Sequence, residues 1–112
     1  MTLELERDNF GRLICTIEDG ERRATVTSHT MDALAEWLEA IENTPPAGYV
    51  DCYWSESAGN YRWMFRTVGD LLRIYITWGS GAGAGWEHIF SGDYDAVEFR
   101  SAARAAALVV SR

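Results

Sequence analysis

Leu3 and Leu5 alternate with Glu4 and Glu6, and this period of two predicts a first strand ending near Asp8-Asn9. The same alternation returns in Leu13, Cys15 and Ile17, and again in Ala24 and Val26. Asp19-Gly20 between these runs predicts a hairpin over residues 12–26, because glycine tolerates the positive φ that a tight turn demands. The period then changes. Leu34, Trp37, Leu38 and Ile41 recur at i, i+3, i+4 and i+7, the stripe of an amphipathic helix. Thr30 is its expected N-cap, and Asp32 suits the positive end of the helix dipole. Pro45-Pro46 requires the helix to stop around Asn43-Thr44.

Three strands are predicted next, over residues 49–56, 61–68 and 71–78. Gly69-Asp70 fits a two-residue turn, and Ser57-Ala58-Gly59-Asn60 a four-residue loop. Those connections imply a register. One face collects Val50, Cys52, Trp54, Trp63, Phe65, Thr67, Leu72, Ile74, Ile76 and Trp78, and reads as core. The opposite face forms the rows Asp51–Arg66–Arg73, Tyr53–Met64–Tyr75 and Ser55–Arg62–Thr77. Arg66 opposite Arg73 is repulsive, and Asp51 beside Arg66 is expected to offset part of that. A short strand at residues 86–90 leads to a second helix. Asp95 and Glu98 have the spacing of a capping box, with Phe99, Ala103, Ala106 and Val110 as the apolar stripe. The expected fold is α+β: an antiparallel sheet of about six strands with two helices, in the order βββα-βββ(β)α, as one domain over residues 1–112.

Composition narrows the function. The chain has 112 residues, 47% of them hydrophobic, so disorder is excluded. Met1–Asp8 lacks a basic and then apolar leader, and no apolar run approaches a membrane span, so a cytoplasmic protein without membrane contact is expected. The net charge of −7 argues against direct nucleic-acid binding, which needs a basic footprint. Cys15 and Cys52 fall on apolar strand faces and read as reduced, buried thiols.

No catalytic signature is present. The run Gly79-Ser80-Gly81-Ala82-Gly83-Ala84 matches a dinucleotide pattern, but Gly85-Trp86-Glu87-His88 follows it where a helix would have to begin. It reads as a connection, a lid, or an arm carrying Trp86. The two histidines, His29 and His88, have no ligand spacing or nucleophile motif around them, so no catalytic residue, metal or cofactor is assigned.

Charge is distributed unevenly. Twelve of the seventeen acids, but only four of the ten arginines, lie in residues 1–56. The first helix carries Asp32, Glu36, Glu39 and Glu42 without a base. This is either a solvated face or a surface for a basic partner, where it would speed association and select among partners. The Tyr53–Met64–Tyr75 row is a second candidate surface, rich in residue types enriched at interfaces. It is exposed if helices cover one side of the sheet, and core if they cover both.

The aromatic meander Tyr49-Val50-Asp51-Cys52-Tyr53-Trp54 and Tyr61-Arg62-Trp63-Met64-Phe65-Arg66, in a short acidic α+β chain, resembles the small immunity proteins of bacterial toxin systems. The resemblance implies a non-enzymatic protein, monomeric or homodimeric, that binds a cognate, basic toxin domain and occludes its active site. Asp32, Glu36, Glu39 and Glu42 would imitate an anionic substrate, with Trp86, Tyr53 and Tyr75 as aromatic contacts. Two other readings stay open. One is a small-molecule or enzymatic domain with a pocket lined by Trp54, Trp63 and Trp78. The other is an oligomeric structural or chaperone-like protein pairing through the sheet.

Overall fold

The computed structural model describes residues 1–81 and 85–111. Its elements run β1 (Thr2–Arg7), β2 (Leu13–Asp19), β3 (Arg22–Ser28), α1 (Ala33–Glu42), β4 (Tyr49–Glu56), β5 (Gly59–Val68), β6 (Leu71–Gly79), β7 (Glu87–Asp95) and α2 (Ala96–Val110). The fold is α+β with the expected order, and the strand expected at residues 86–90 extends to Asp95 as β7.

The strands form two antiparallel sheets rather than one, β1-β2-β3 and β4-β5-β6-β7. The chain leaves β3 into α1 before it returns as β4, so the two strands never align as a ladder. They touch only at their ends, where His29 N donates to Ser55 O at 3.2 Å and the Ser28 hydroxyl donates to the same oxygen at 3.4 Å.

Both tight turns follow from glycine. Gly20 and Gly69 take φ of +62° and +60° as the first central residues of the β2–β3 and β5–β6 turns. The β4–β5 connection differs from the expected four-residue loop. Glu56 pairs with Gly59, which leaves only Ser57-Ala58 in the turn and moves the β4–β5 register by two residues. The outer rows therefore become Tyr49–Arg66–Arg73–Asp93, Asp51–Met64–Tyr75–Ser91 and Tyr53–Arg62–Thr77–His88. A shift of two preserves the face of every residue, so the expected core side stands. Cys52, Trp54, Trp63, Phe65, Leu72, Ile74 and Ile76 are buried, while Val50, Thr67 and Trp78 at its margins are only partly so.

One cluster of buried side chains joins both sheets to both helices. At its centre Trp37 of α1 meets Trp54 and Trp63, with ring centroids 5.3–6.1 Å apart. Trp37, Ala40 and Ile41 are the buried stripe of α1, and Leu34 and Leu38 pack at its edge. Its N-cap is Asp32 rather than Thr30, whose backbone oxygen instead accepts from Ala33 N. For α2 the expected cap holds: the Asp95 carboxylate accepts from Glu98 N at 3.0 Å. Phe99 and the small residues Ala103, Ala106 and Ala107 face the core.

Candidate protein-binding surface

The 3.6-residue period that turns Trp37, Ala40 and Ile41 inward leaves Glu36 and Glu39 exposed on α1. The two-residue period of β4 buries Cys52 and Trp54 and points Tyr49, Asp51 and Tyr53 outward. Where α1 runs along β4, these residues enclose a groove of about 390 Å³, lined by Glu36, Glu39, Asn43, Val50, Asp51 and Tyr53 with Cys52 at its base. Burial pushes the Cys52 thiol up to about 12, and the negative charges of Glu36 and Asp51 add to the effect. Asp51 is neutralised by Arg62, whose Nε and Nη2 donate to it at 3.0 and 2.8 Å. Glu36 and Glu39 form no ion pair among the described residues.

Tyr53 carries this groove onto the outer face of the four-stranded sheet. Tyr53 is 44% exposed, and its ring meets that of Trp86, a residue 49% exposed, at a centroid distance of 6.2 Å. Trp86 precedes β7 yet lies back over the end of β6. It can do so because residue 79 is glycine: a Cβ there would stand 2.9 Å from the indole. Beyond this pair the face continues with Tyr49, Tyr75 and Met64. Both helices pack into the core on the opposite side, so Tyr49, Tyr53 and Tyr75 are exposed rather than buried, although Tyr53 and Tyr75 do not share one row.

The arginines on this face are mostly committed. Arg73 binds Asp93 bidentately at 2.8 and 3.0 Å, which offsets the direct opposition of Arg66 and Arg73. Asp51, expected beside Arg66, serves Arg62 instead. Arg66 forms no ion pair among the described residues.

The sequence-derived site residues separate into groups. Glu36, Glu39, Tyr53 and Trp86 form one connected surface, and Tyr75 lies on the same sheet face. Asp32 occupies the N-cap position of α1 without a side-chain capping bond, away from the groove. Glu42 is not a free acid: Arg104 of α2 binds it bidentately, with Nη2 donating to Oε2 at 2.8 Å. Arg100 Nε adds a bond to Ile41 O at 3.0 Å, so α2 supplies the positive charge that the end of α1 lacks. Asp51 and Tyr49 are surface members that the sequence reading did not single out. Their odd-numbered positions beside Tyr53 carried the signal.

Trp54 and Trp63 are fully buried in ring contact and cannot line an open pocket, and Trp78 sits apart against Tyr61. Within the glycine-rich run, residues 82–84 lie outside the described residues, and with them the question of a lid. His88 Nε2 and the Ser91 hydroxyl are 3.0 Å apart, but no carboxylate orients this imidazole among the described residues. His29 Nδ1 instead meets Glu56 at 3.2 Å. Both cysteines are buried free thiols. Among the described residues no cluster is placed to hold a metal ion, and no helix is long and apolar enough to cross a membrane. Comparison of the chain with family models, with curated proteins and with solved structures finds no match.

Proposed function

We infer that this chain is a cytoplasmic, non-enzymatic protein-binding domain of the immunity type, which docks a basic bacterial toxin domain and occludes its active site. One observation carries the reading. The acidic groove and the exposed aromatic face are continuous through Tyr53, so unpaired carboxylates and ring anchors lie side by side. Each part has its task. Glu36 and Glu39 steer and select a cationic partner, and Tyr53 and Trp86 supply contact area once water is expelled. Glu42 ties α1 to α2 rather than meeting the partner, and Asp32 lies away from the groove.

The test is capture from the native host lysate at low salt, eluted in salt steps and identified by mass spectrometry. A stoichiometric basic protein released by salt is expected. The doubly substituted Glu36→Arg, Glu39→Arg chain should lose it and show a flatter salt dependence. A partner that neither salt nor this variant displaces would overturn the acidic-groove reading. Recovery of no partner from a host expressing the chain would overturn the binding reading itself.

A further inference from the structure

A second groove, of about 660 Å³, runs between β1 and α2 and shares no residue with the first. Leu3 and Leu5 of the core side line it, and so do Glu4 and Glu6 of the opposite side, with Thr16 of β2 beside Glu4. Side chains from both faces of a strand reach one groove only along the strand's edge. That edge is open. In the order β1-β2-β3, β1 pairs with β2 alone, and among the described residues no other element makes a backbone hydrogen bond to it. Alternate N–H and C=O groups of β1 therefore point away from β2. The far wall is α2, where the small side chains of Ala102 and Ala105 leave the space unfilled and Val109 makes it apolar.

We propose that this groove takes an extended segment of a partner chain as a further antiparallel strand on β1, a segment in which apolar residues alternate with Lys or Arg. The backbone of β1 supplies the hydrogen bonds, as in other strand-addition sites set between a sheet edge and a helix. The side-chain pattern follows from the period of two. Apolar residues of the incoming strand fall beside Leu3 and Leu5 and against the alanines of α2. Its remaining residues fall beside Glu4 and Glu6. Neither of those carboxylates forms an ion pair among the described residues, whereas Glu18 on the next strand is matched by Arg23 at 3.3 Å. Opposite charges directly across a ladder stabilise it and like charges oppose it. The same acids disfavour a second copy of this chain, since two antiparallel β1 strands would bring Glu4 and Glu6 together on one face. This inference does not rest on the α1–β4 groove, and charge reversal at Glu36 and Glu39 leaves it untouched.

The experiment is a nuclear magnetic resonance titration of the full chain with a peptide of about six residues alternating Val and Lys, the length of an ordinary strand. The amides of β1 and of Ala102 and Ala105 should shift, and hydrogen exchange along β1 should slow. A peptide alternating Val and Glu should bind about tenfold more weakly. The Glu4→Arg, Glu6→Arg variant should reverse that preference. Ala105 is exposed, so Ala105→Trp should fill the groove and abolish the shifts while the far-ultraviolet circular dichroism stays unchanged. Equal binding of the two peptides, or shifts without slowed exchange at β1, would overturn the proposal. So would β1 amides that move with protein concentration alone, because a second copy would then be the occupant.

Discussion

Trp86 rests on the bare backbone of Gly79 and brings its ring to Tyr53, a residue of the far edge strand β4. The contact crosses the outer face of the sheet and sets an aromatic wall beside the α1 acids. Because a Cβ at position 79 would stand 2.9 Å from the indole, Gly79→Ala should displace the ring rather than the strand. The stability cost should be about 1–3 kcal/mol, as for overpacking elsewhere. Trp86 fluorescence, read as the difference from a Trp86→Phe variant, should shift toward that of a solvated indole. An unchanged spectrum would mean that the ring does not depend on the glycine.

The core makes a different demand on its tryptophans. Trp37, Trp54 and Trp63 are fully buried, and none of their indole N–H groups has a hydrogen-bond acceptor among the described residues. Their value lies in ring packing, with the tilted and edge-on geometry that lets an N–H approach a π face. Trp37→Ala should cost about 3–5 kcal/mol, a large part of a small protein's stability. Trp37→Phe keeps a ring and gives up no hydrogen bond, so its cost should be smaller by a factor of roughly two. Denaturant midpoints of the two variants check this. Equal losses would indicate a role for the indole nitrogen that packing does not explain.

The faces of the strands were legible in the sequence, and so were the partners across the Gly69-Asp70 turn, while the β4–β5 partners were not. A register shift of two keeps Cys52 and Trp54 inward and Tyr53 outward, so the period alone locates core and surface. It says nothing about which residue stands opposite. That depended on the β4–β5 turn, and Ser57-Ala58-Gly59-Asn60 is compatible with several lengths. The deciding fact is tertiary: Gly59 joins the ladder where Trp78 and Gly79 crowd it, and a Cβ there would lie 2.9 Å from the Trp78 ring. The same limit hid the state of the acids. Asp32, Glu36, Glu39 and Glu42 look alike along the helix. Only the packing of α2, remote in sequence, sets Arg104 on Glu42 and leaves Glu36 and Glu39 open. The two sheets are of this kind too, since a helix between two strands does not reveal whether they pair.

A hydrogen bond between the sheets sets a pH window. The Tyr94 hydroxyl of β7 donates to Asp19 of β2 at 2.8 Å. That bond, with a second from Arg22, holds the Asp19 carboxyl below its ordinary 3.8. Burial raises Tyr94 from 10.0 to about 12, and the bond to Asp19 adds to the rise. A depressed folded-state pKa contributes stability above the unfolded value, lost as pH falls through the folded one. A raised pKa contributes below the unfolded value, lost as pH rises through the folded one. The bond should therefore act in full between about pH 4 and pH 10. Tyr94→Phe should cost about 0.5–1.5 kcal/mol on that plateau, with the gap to the native chain closing at both ends. Denaturation across a pH series measures it, and a gap independent of pH would count against the bond.

The acids of α1 should respond in opposite ways to substitution. Glu42 is bound by Arg104, which holds its carboxyl below the ordinary range. Glu42→Ala should remove a solvent-accessible ion pair, worth about 0.2–1 kcal/mol. Glu36 and Glu39 stand three residues apart with no base, in a helix whose last turn carries none either. Their mutual repulsion, and the position of Glu39 near the negative end of the dipole, weaken the helix by a few tenths of a kcal/mol each. Glu36 lies in the first turn, at the positive end of the dipole, so Glu39→Arg should leave stability unchanged or raise it slightly while Glu36→Arg should lower it by about 0.3–1 kcal/mol. If Glu39→Arg abolishes partner capture, an acid that does not help the fold is accounted for by binding, since functional sites commonly carry a cost in stability. Thermal unfolding and capture, measured on the same variants, separate the outcomes. Destabilisation by Glu36→Arg well beyond about 1 kcal/mol, more than the dipole accounts for, would make that carboxylate structural and remove it from the binding surface.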